Sequence, residues 1–187
     1  GWISMPATEK LFEAAGLDFN DLQSKARQPG FKGTTLGVNV STSIKVKTSY
    51  GKTHNAIAKI TGSTRPEEYI VYTAHWDHLG IGKPDASGDS IYNGAVDNSG
   101  GVALLLEIAK AFSVLKNKPE RTVVFLAVTA EEQGLWGSAY YSQDPVYSLD
   151  KTVANINMDF TNTSGKMKDI TVTGKGQSDL EDILGEE

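Results

Sequence analysis

The chain has 187 residues, room for one domain of ordinary size with a small appendage. Its 39% hydrophobic and 22% charged residues permit a packed core, and a net charge of −5 excludes the concentrated basic surface that nucleic-acid binding needs. The absence of cysteine removes disulfide scaffolds, thiolate zinc sites and cysteine nucleophiles.

Two short helices are expected first. Pro6 to Ala15 forms one, with Ser4 as its cap and Gly16 as its stop. Asp18 caps the other, which ends near Gln28, before Pro29-Gly30. From Leu36 to Thr48 apolar or threonine residues alternate with glycine, polar and lysine residues, a period of two that predicts a half-buried strand. A turn at Tyr50-Gly51-Lys52 and a second strand over Asn55 to Thr61 would complete a hairpin.

Beyond this point the pattern changes. Tyr69 to Ala74 and Val123 to Val128 are nearly continuous apolar runs, and Val153 to Met158 is a weaker third. Strands without alternation are buried on both faces, as in a sheet covered by helices. Gly100 to Leu115 supplies a helix with a wide apolar face, and a second helix follows Glu132 through Trp136, Ala139 and Tyr140. Ile170 to Thr173 reads as one more strand, and the segment after Gly176 as the opening of a helix. Strands alternating with helices imply an α/β layered domain with an antiparallel hairpin at one side. The longest apolar run, Val102 to Ile108, contains Glu107 and is too short to span a bilayer. No signal peptide opens the chain.

The acids and histidines fall at the strand ends. His75, Trp76, Asp77 and His78 follow the first buried strand, Glu131 and Glu132 the second, and Asp159 the third. Asp97 joins them from a glycine-rich loop at the start of the long helix. Ligand sites in open α/β sheets lie beyond the carboxyl ends of the strands. Singly, each residue reads equally well as a solvated loop side chain, and Asp97 as a helix cap. Together, several carboxylates at one sheet edge repel unless a cation neutralises them, which a pair of divalent metals does. Mixed imidazole and carboxylate donors suit zinc, with manganese or cobalt as alternatives. His54 reads as structural or exposed rather than a ligand, and His78, close to the site, as a residue that supports a ligand or packs beside it in preference to binding metal directly. Trp76 and Trp136 fit a substrate mouth or the core equally, and Asp85 and Asp89 a solvated loop.

Four stretches carry a family resemblance: Glu68 to Gly80, containing His-Trp-Asp-His-Leu-Gly; Asn93 to Gly101; Thr129 to Ser138; and Asn155 to Asp159. In this order and spacing, over roughly Thr53 to Thr161, the chain resembles the co-catalytic two-zinc exopeptidases. These include bacterial leucyl-type aminopeptidases, glutamate carboxypeptidase and the transferrin-receptor relatives. The resemblance implies a three-layer αβα sandwich with a mixed, mostly parallel central sheet, its C-terminal part missing. It implies an incomplete catalytic domain over residues 31–187, preceded over residues 1–30 by a helical appendage or the end of a protease-associated insert.

The resemblance also implies roles. Asp97 would bridge two zinc ions, His75 and Asp159 would hold one of them, and Glu132 the other. Asp77 would orient His75, as metal-binding imidazoles usually require. Glu131 would be the general base for a water activated by the two ions, and the Asp97–Asn98 peptide would be cis. Peptides would be the substrates, cleaved at their N-terminal bonds, in a secreted or periplasmic setting. The family's second ion takes a histidine from well downstream of Asp159, whereas the histidines here are His54, His75 and His78. The expectation is therefore a truncated site that binds zinc weakly or at one position and is inactive alone. A carboxypeptidase, a single-zinc glutaminyl cyclase and a non-catalytic receptor-like domain are the alternatives on the same scaffold. A serine hydrolase is disfavoured because no Gly-x-Ser-x-Gly elbow occurs.

Overall fold

A computed structural model describes residues 2–160, 162, 164–174 and 176–186. Gly1 and Thr161, at the edges of the expected N-terminal piece and of the resembling stretch, lie outside them. The chain divides into two compact units, Gly1–Tyr50 and Gly51–Glu187.

The first unit holds α1 (Met5–Ala14) and α2 (Phe19–Ala26). Ser4 caps α1 through its carbonyl, which accepts from the Thr8 amide at 2.9 Å. Asp18 caps α2 through its side chain, which accepts from the Asp21 amide at 2.8 Å. Phe12 and Phe19 meet edge to face at 5.2 Å and pin the two helices together. The strand expected over Leu36 to Thr48 is not formed, and with it goes the hairpin. An extended segment needs a ladder partner for its amides and carbonyls, and no described residue pairs with this one. Val40, Ile44 and Val46 stand exposed.

The second unit is built on a four-stranded sheet. Its strands are β1 (Ala56–Ile60), β2 (Arg65–His75), β5 (Arg121–Val128) and β6 (Thr152–Asn157), in the order β1-β5-β2-β6. The two central pairings, β5 with β2 and β2 with β6, are parallel, and β1 runs antiparallel along β5. β1 therefore forms, but as an edge strand of this sheet rather than an arm of a hairpin. A small ribbon of β3 (Gly80–Ile81) and β4 (Ile91–Tyr92) closes the loop after β2. The stretch Ile170 to Thr173 has no strand neighbour and stays irregular, with Ile170 and Val172 exposed. The last helix, α5, spans Leu180–Glu186.

The continuous apolar runs are explained by burial on both sides. Val123 and Phe125 of β5, with Ala74 of β2, face α3 (Ser99–Ser113) and pack on Leu105, Val102, Ile108 and Phe112. Val124, Leu126 and Val128, with Tyr69 and Val71, face the other way and pack on Tyr141 of α4 (Trp136–Gln143). Helix, mixed sheet and helix make the three-layer α/β sandwich that the resemblance implies. Trp76 and Trp136 belong to neither layer contact, being 51% and 67% exposed. Among the described residues no helix is long and apolar enough to cross a membrane.

The start of α3 fixes the fold to the site. Asn98, not Asp97, is the cap: its side-chain oxygen accepts from the Gly101 amide at 2.8 Å. Its amide donates to the Met158 carbonyl at 2.9 Å, tying the helix start to the end of β6. A Cβ at Gly101 would lie 2.5 Å from that same carbonyl oxygen. Main-chain oxygen cannot swing aside, so Gly101→Ala is expected to cost about 1–3 kcal/mol net of its helix-propensity gain. An unchanged urea midpoint for this variant would refute the close approach.

Candidate metal centre

The parallel strands β2, β5 and β6 all end on one rim. β2 delivers His75 as its last residue, the loop after β5 delivers Glu131 and Glu132, and the segment after β6 delivers Asp159. The Asp97–Asn98 peptide before α3 is cis, Asn98 caps the helix, and the Asp97 carboxylate lies 3.1 Å from His75 Nε2 at the rim.

His75 is 3% exposed, and its ring is held by a hydrogen bond at one nitrogen. Nδ1 lies 3.0 Å from the main-chain oxygen of Asp77. A carbonyl only accepts, so Nδ1 carries the proton and Nε2 turns its lone pair to the rim. There Nε2 meets Asp97 Oδ1 at 3.1 Å, Asp159 Oδ1 at 3.4 Å and Glu131 Oε2 at 3.9 Å. It is fully buried and has no hydrogen-bond partner. A buried nitrogen lone pair aimed at carboxylate oxygens has only acceptors before it, and that arrangement suits a cation between them.

A second group lies alongside. His78 Nδ1 and Glu132 Oε1 are 2.7 Å apart, and each is buried without a hydrogen bond. His75, Asp97 and Asp159 can each bring one donor atom within 4.8 Å of the others, and so can His78, Asp97 and Glu132. Asp97 is common to both. The structure thus brings His75, Asp97 and Asp159 into one group and Asp97 and Glu132 into another. It adds His78, whose ring direction no spacing in a loop reveals. His54 belongs to neither group; its carbonyl accepts from the Trp76 indole at 3.1 Å.

Asp77 works differently from the expected orienting carboxylate. Its side chain stands 3.8 Å from His75 Nδ1, and it is the Asp77 main-chain oxygen that accepts the hydrogen bond from Nδ1. The carboxylate instead accepts from the Glu131 and Glu132 amides at 3.0 and 3.3 Å. Those two amides open the turn after β5, where Ala130 takes a left-handed φ of 52°. Asp77 therefore shapes the loop that presents both glutamates.

Five carboxylates, those of Asp77, Asp97, Glu131, Glu132 and Asp159, crowd two imidazoles here. Among the described residues the lysine and arginine ion pairs lie elsewhere, at Asp21, Glu68, Glu107 and Glu120. The electrostatics register the strain. Burial pushes the Glu131 carboxyl above its ordinary value; His75 opposes this, and Asp159, Glu132 and Asp77 add to it. Burial alone would lower the His75 pKa, but the Asp77 carbonyl and the charges of Asp159, Glu131 and Asp77 outweigh it and leave it raised.

Both groups therefore hold protons more tightly folded than unfolded. The stability they contribute is present below their unfolded values and is lost as pH rises through the folded ones. Metal-free protein is expected to melt progressively lower as pH climbs from below 4.5 through and beyond 6.5, the ordinary values of the two groups. Zinc, which replaces the protons, should flatten that slope. A metal-free melting temperature that rises over the same range would contradict the crowded-carboxylate picture.

A cleft of about 340 Å³ is lined by His75, Glu131 and Asp159 together with Val71, Leu126 and Tyr141.

Comparison with known proteins agrees with this arrangement. Residues 55–186 match Peptidase family M28. The chain is 32% identical over 145 residues to "Aminopeptidase NAALADL1" of Mus musculus, covering 71% of this chain and 17% of that protein. It is 36% identical over 137 residues to "Glutamate carboxypeptidase 2 homolog" of Caenorhabditis elegans, covering 70% and 16%. With a "Probable zinc metalloprotease" of Pyrenophora teres f. teres (strain 0-1) it shares 30% identity over 164 residues, covering 87% and 32%. The chain thus spans a third or less of the length of these relatives. The family match takes in β1, both imidazoles and every rim carboxylate, so the layered sheet and the residues at its edge fall inside one known pattern: the chain belongs to Peptidase family M28.

Proposed function

We propose that the protein is a zinc-dependent exopeptidase that removes residues from peptide N-termini. The observation that carries this reading is the pair of donor groups sharing Asp97, with the unpartnered Nε2 of buried His75 aimed between carboxylates. Nitrogen and oxygen donors without sulfur suit zinc, and the orphaned lone pair fits an ion in that place. His75, Asp97 and Asp159 would hold one ion, and Asp97 and Glu132 would hold a second.

Zinc bound there supplies a water acidic enough to attack at neutral pH and a charge to polarise the scissile carbonyl. The chain's own residues do the rest. Glu131 belongs to neither donor group and lines the cleft, where its carboxylate can take a proton and return it to the leaving amine. Its raised pKa suits that traffic. Asp77 holds the loop that presents it. The apolar lining residues Val71, Leu126 and Tyr141 offer a seat for a substrate side chain.

The test is cleavage of aminoacyl-p-nitroanilides by a version extended past Glu187, stripped with chelator and reloaded with zinc, beside this chain alone, which is expected to be inactive. Free aminoacyl substrates should be cut and N-acetylated ones spared. Cleavage confined to C-terminal residues would point to a carboxypeptidase, and cyclisation of N-terminal glutamine without amino-acid release to a cyclase. Zinc-independent activity would sink the reading.

A further inference from the structure

We propose that Asn55 is a positioning residue for the peptidase chemistry: its side-chain amide clamps the neck of the loop that presents Glu131 and Glu132. This rests on the exopeptidase reading above and extends it to a residue outside both donor groups.

The loop runs from the end of β5 to the start of α4 and folds back on itself. The Gly137 amide donates to the Thr129 carbonyl at 2.9 Å, and the Trp136 amide to the Ala130 carbonyl at 3.1 Å. The Gly134 and Leu135 amides both donate to the Glu131 carbonyl at 2.9 Å. At the neck stand Thr129 and Gly137, both buried. Asn55 joins them: its Oδ1 accepts from the Thr129 amide at 3.0 Å, and its Nδ2 donates to the Gly137 carbonyl at 2.8 Å. A side-chain amide offers donor and acceptor on one planar fork, so it can stand in for a peptide group between two strands of chain. The neighbouring Thr53 hydroxyl meets that of Thr129 at 2.7 Å.

Asn55 reaches the loop from the edge of the sheet. It stands one residue before β1, whose Ala56 pairs with Ala127 of β5. The Trp76 indole, bonded to the His54 carbonyl, holds the same lead-in. Asp77 grips the middle of the loop through the Glu131 and Glu132 amides, and Asn55 grips its neck. Between the two anchors, Ala130 and Leu135 take left-handed φ of 52° and 62°. Residues other than glycine keep such conformations only where their surroundings impose them, so losing one anchor lets the glutamates shift. A Cβ on Gly137 would lie 2.7 Å from Asn55 Oδ1 and 2.2 Å from the Thr129 carbonyl oxygen, so the neck closes only around glycine.

The competing role for Asn55 is general support of the sheet edge. Asn55→Leu separates the two, because it removes both hydrogen bonds at similar side-chain size. By hydrogen exchange, amides of residues 129–137 should exchange about tenfold faster in this variant, as the loss of one to two hydrogen bonds dictates, while β2 and β5 stay as protected as in the wild type. Unchanged exchange in residues 129–137 would overturn the proposal, and so would an equal loss of protection through β2 and β5. Should Asn55→Leu not fold, Asn55→Asp, which keeps the acceptor for the Thr129 amide and lacks the donor, carries the same comparison.

Kinetics of the version extended past Glu187 tie the clamp to the chemistry, with zinc kept saturating so that the metal positions stay filled. Asn55→Leu should lower kcat about 10–100-fold, the usual cost of a displaced catalytic group, with KM within about threefold of wild type. In a Glu131→Gln background the same change should cost less than about threefold, because the group it positions is already disabled. A wild-type kcat in Asn55→Leu, or the full loss repeated in the Glu131→Gln background, would overturn the proposal. An extended wild type without peptidase activity would instead sink the exopeptidase reading, and hydrogen exchange would still decide whether Asn55 holds the loop.

Discussion

Glu131→Gln is expected to lower kcat by a factor of about 10²–10⁴, the usual contribution of a positioned general base, while leaving zinc content and melting temperature close to wild type. The separation follows from where Glu131 sits. Its nearest oxygen is 3.9 Å from His75 Nε2, and neither donor group includes it. The amide that places it is main chain, bonded to Asp77, and survives the substitution. Glutamine keeps the shape of the side chain and removes only its ability to take a proton. Steady-state kinetics beside metal analysis of the same sample decide the matter. Loss of zinc along with activity would make Glu131 a ligand, and retention of activity would remove it from the chemistry.

Asp97→Ala should behave in the opposite way, losing both metal equivalents at once. Asp97 is the residue common to the two donor groups, so its removal takes one carboxylate from each. Residues behind metal ligands typically cost 10–100-fold in affinity when altered, so a shared ligand should cost about a hundredfold or more at both positions. Asp159→Ala, by contrast, should weaken one position only. The Asp97 side chain is 41% exposed, and the helix cap belongs to Asn98, so the fold should tolerate its loss. Calorimetric titration of both variants provides the check. A full equivalent retained by Asp97→Ala at wild-type affinity would show that the two groups do not share it.

Much of this was legible in the residues. β2, β5 and β6 announce themselves because burial on both faces demands uninterrupted apolar runs, and α3 because its apolar face is wide. The rim acids could be read because chemistry at a sheet edge follows the strand ends. What was hidden depends on partners or on ring and backbone direction. The alternation over Leu36 to Thr48 is the signature of a half-buried strand, yet without a ladder partner it remains an irregular segment. The β3–β4 ribbon is too short for any period to show. The cap of α3 moved by one residue to Asn98, which frees Asp97 for the site. His78 lies in a loop, where spacing says nothing about which way an imidazole turns.

The division of labour within Asp77 has a practical result for anyone altering this protein. The acceptor that keeps the His75 proton on Nδ1 is main-chain oxygen, which every amino acid possesses. Replacement at position 77 can loosen the turn bearing both glutamates without changing the tautomer of the neighbouring histidine. Variants at this one position are therefore expected to disturb the placement of Glu131 and Glu132 together while leaving the proton of His75 on Nδ1.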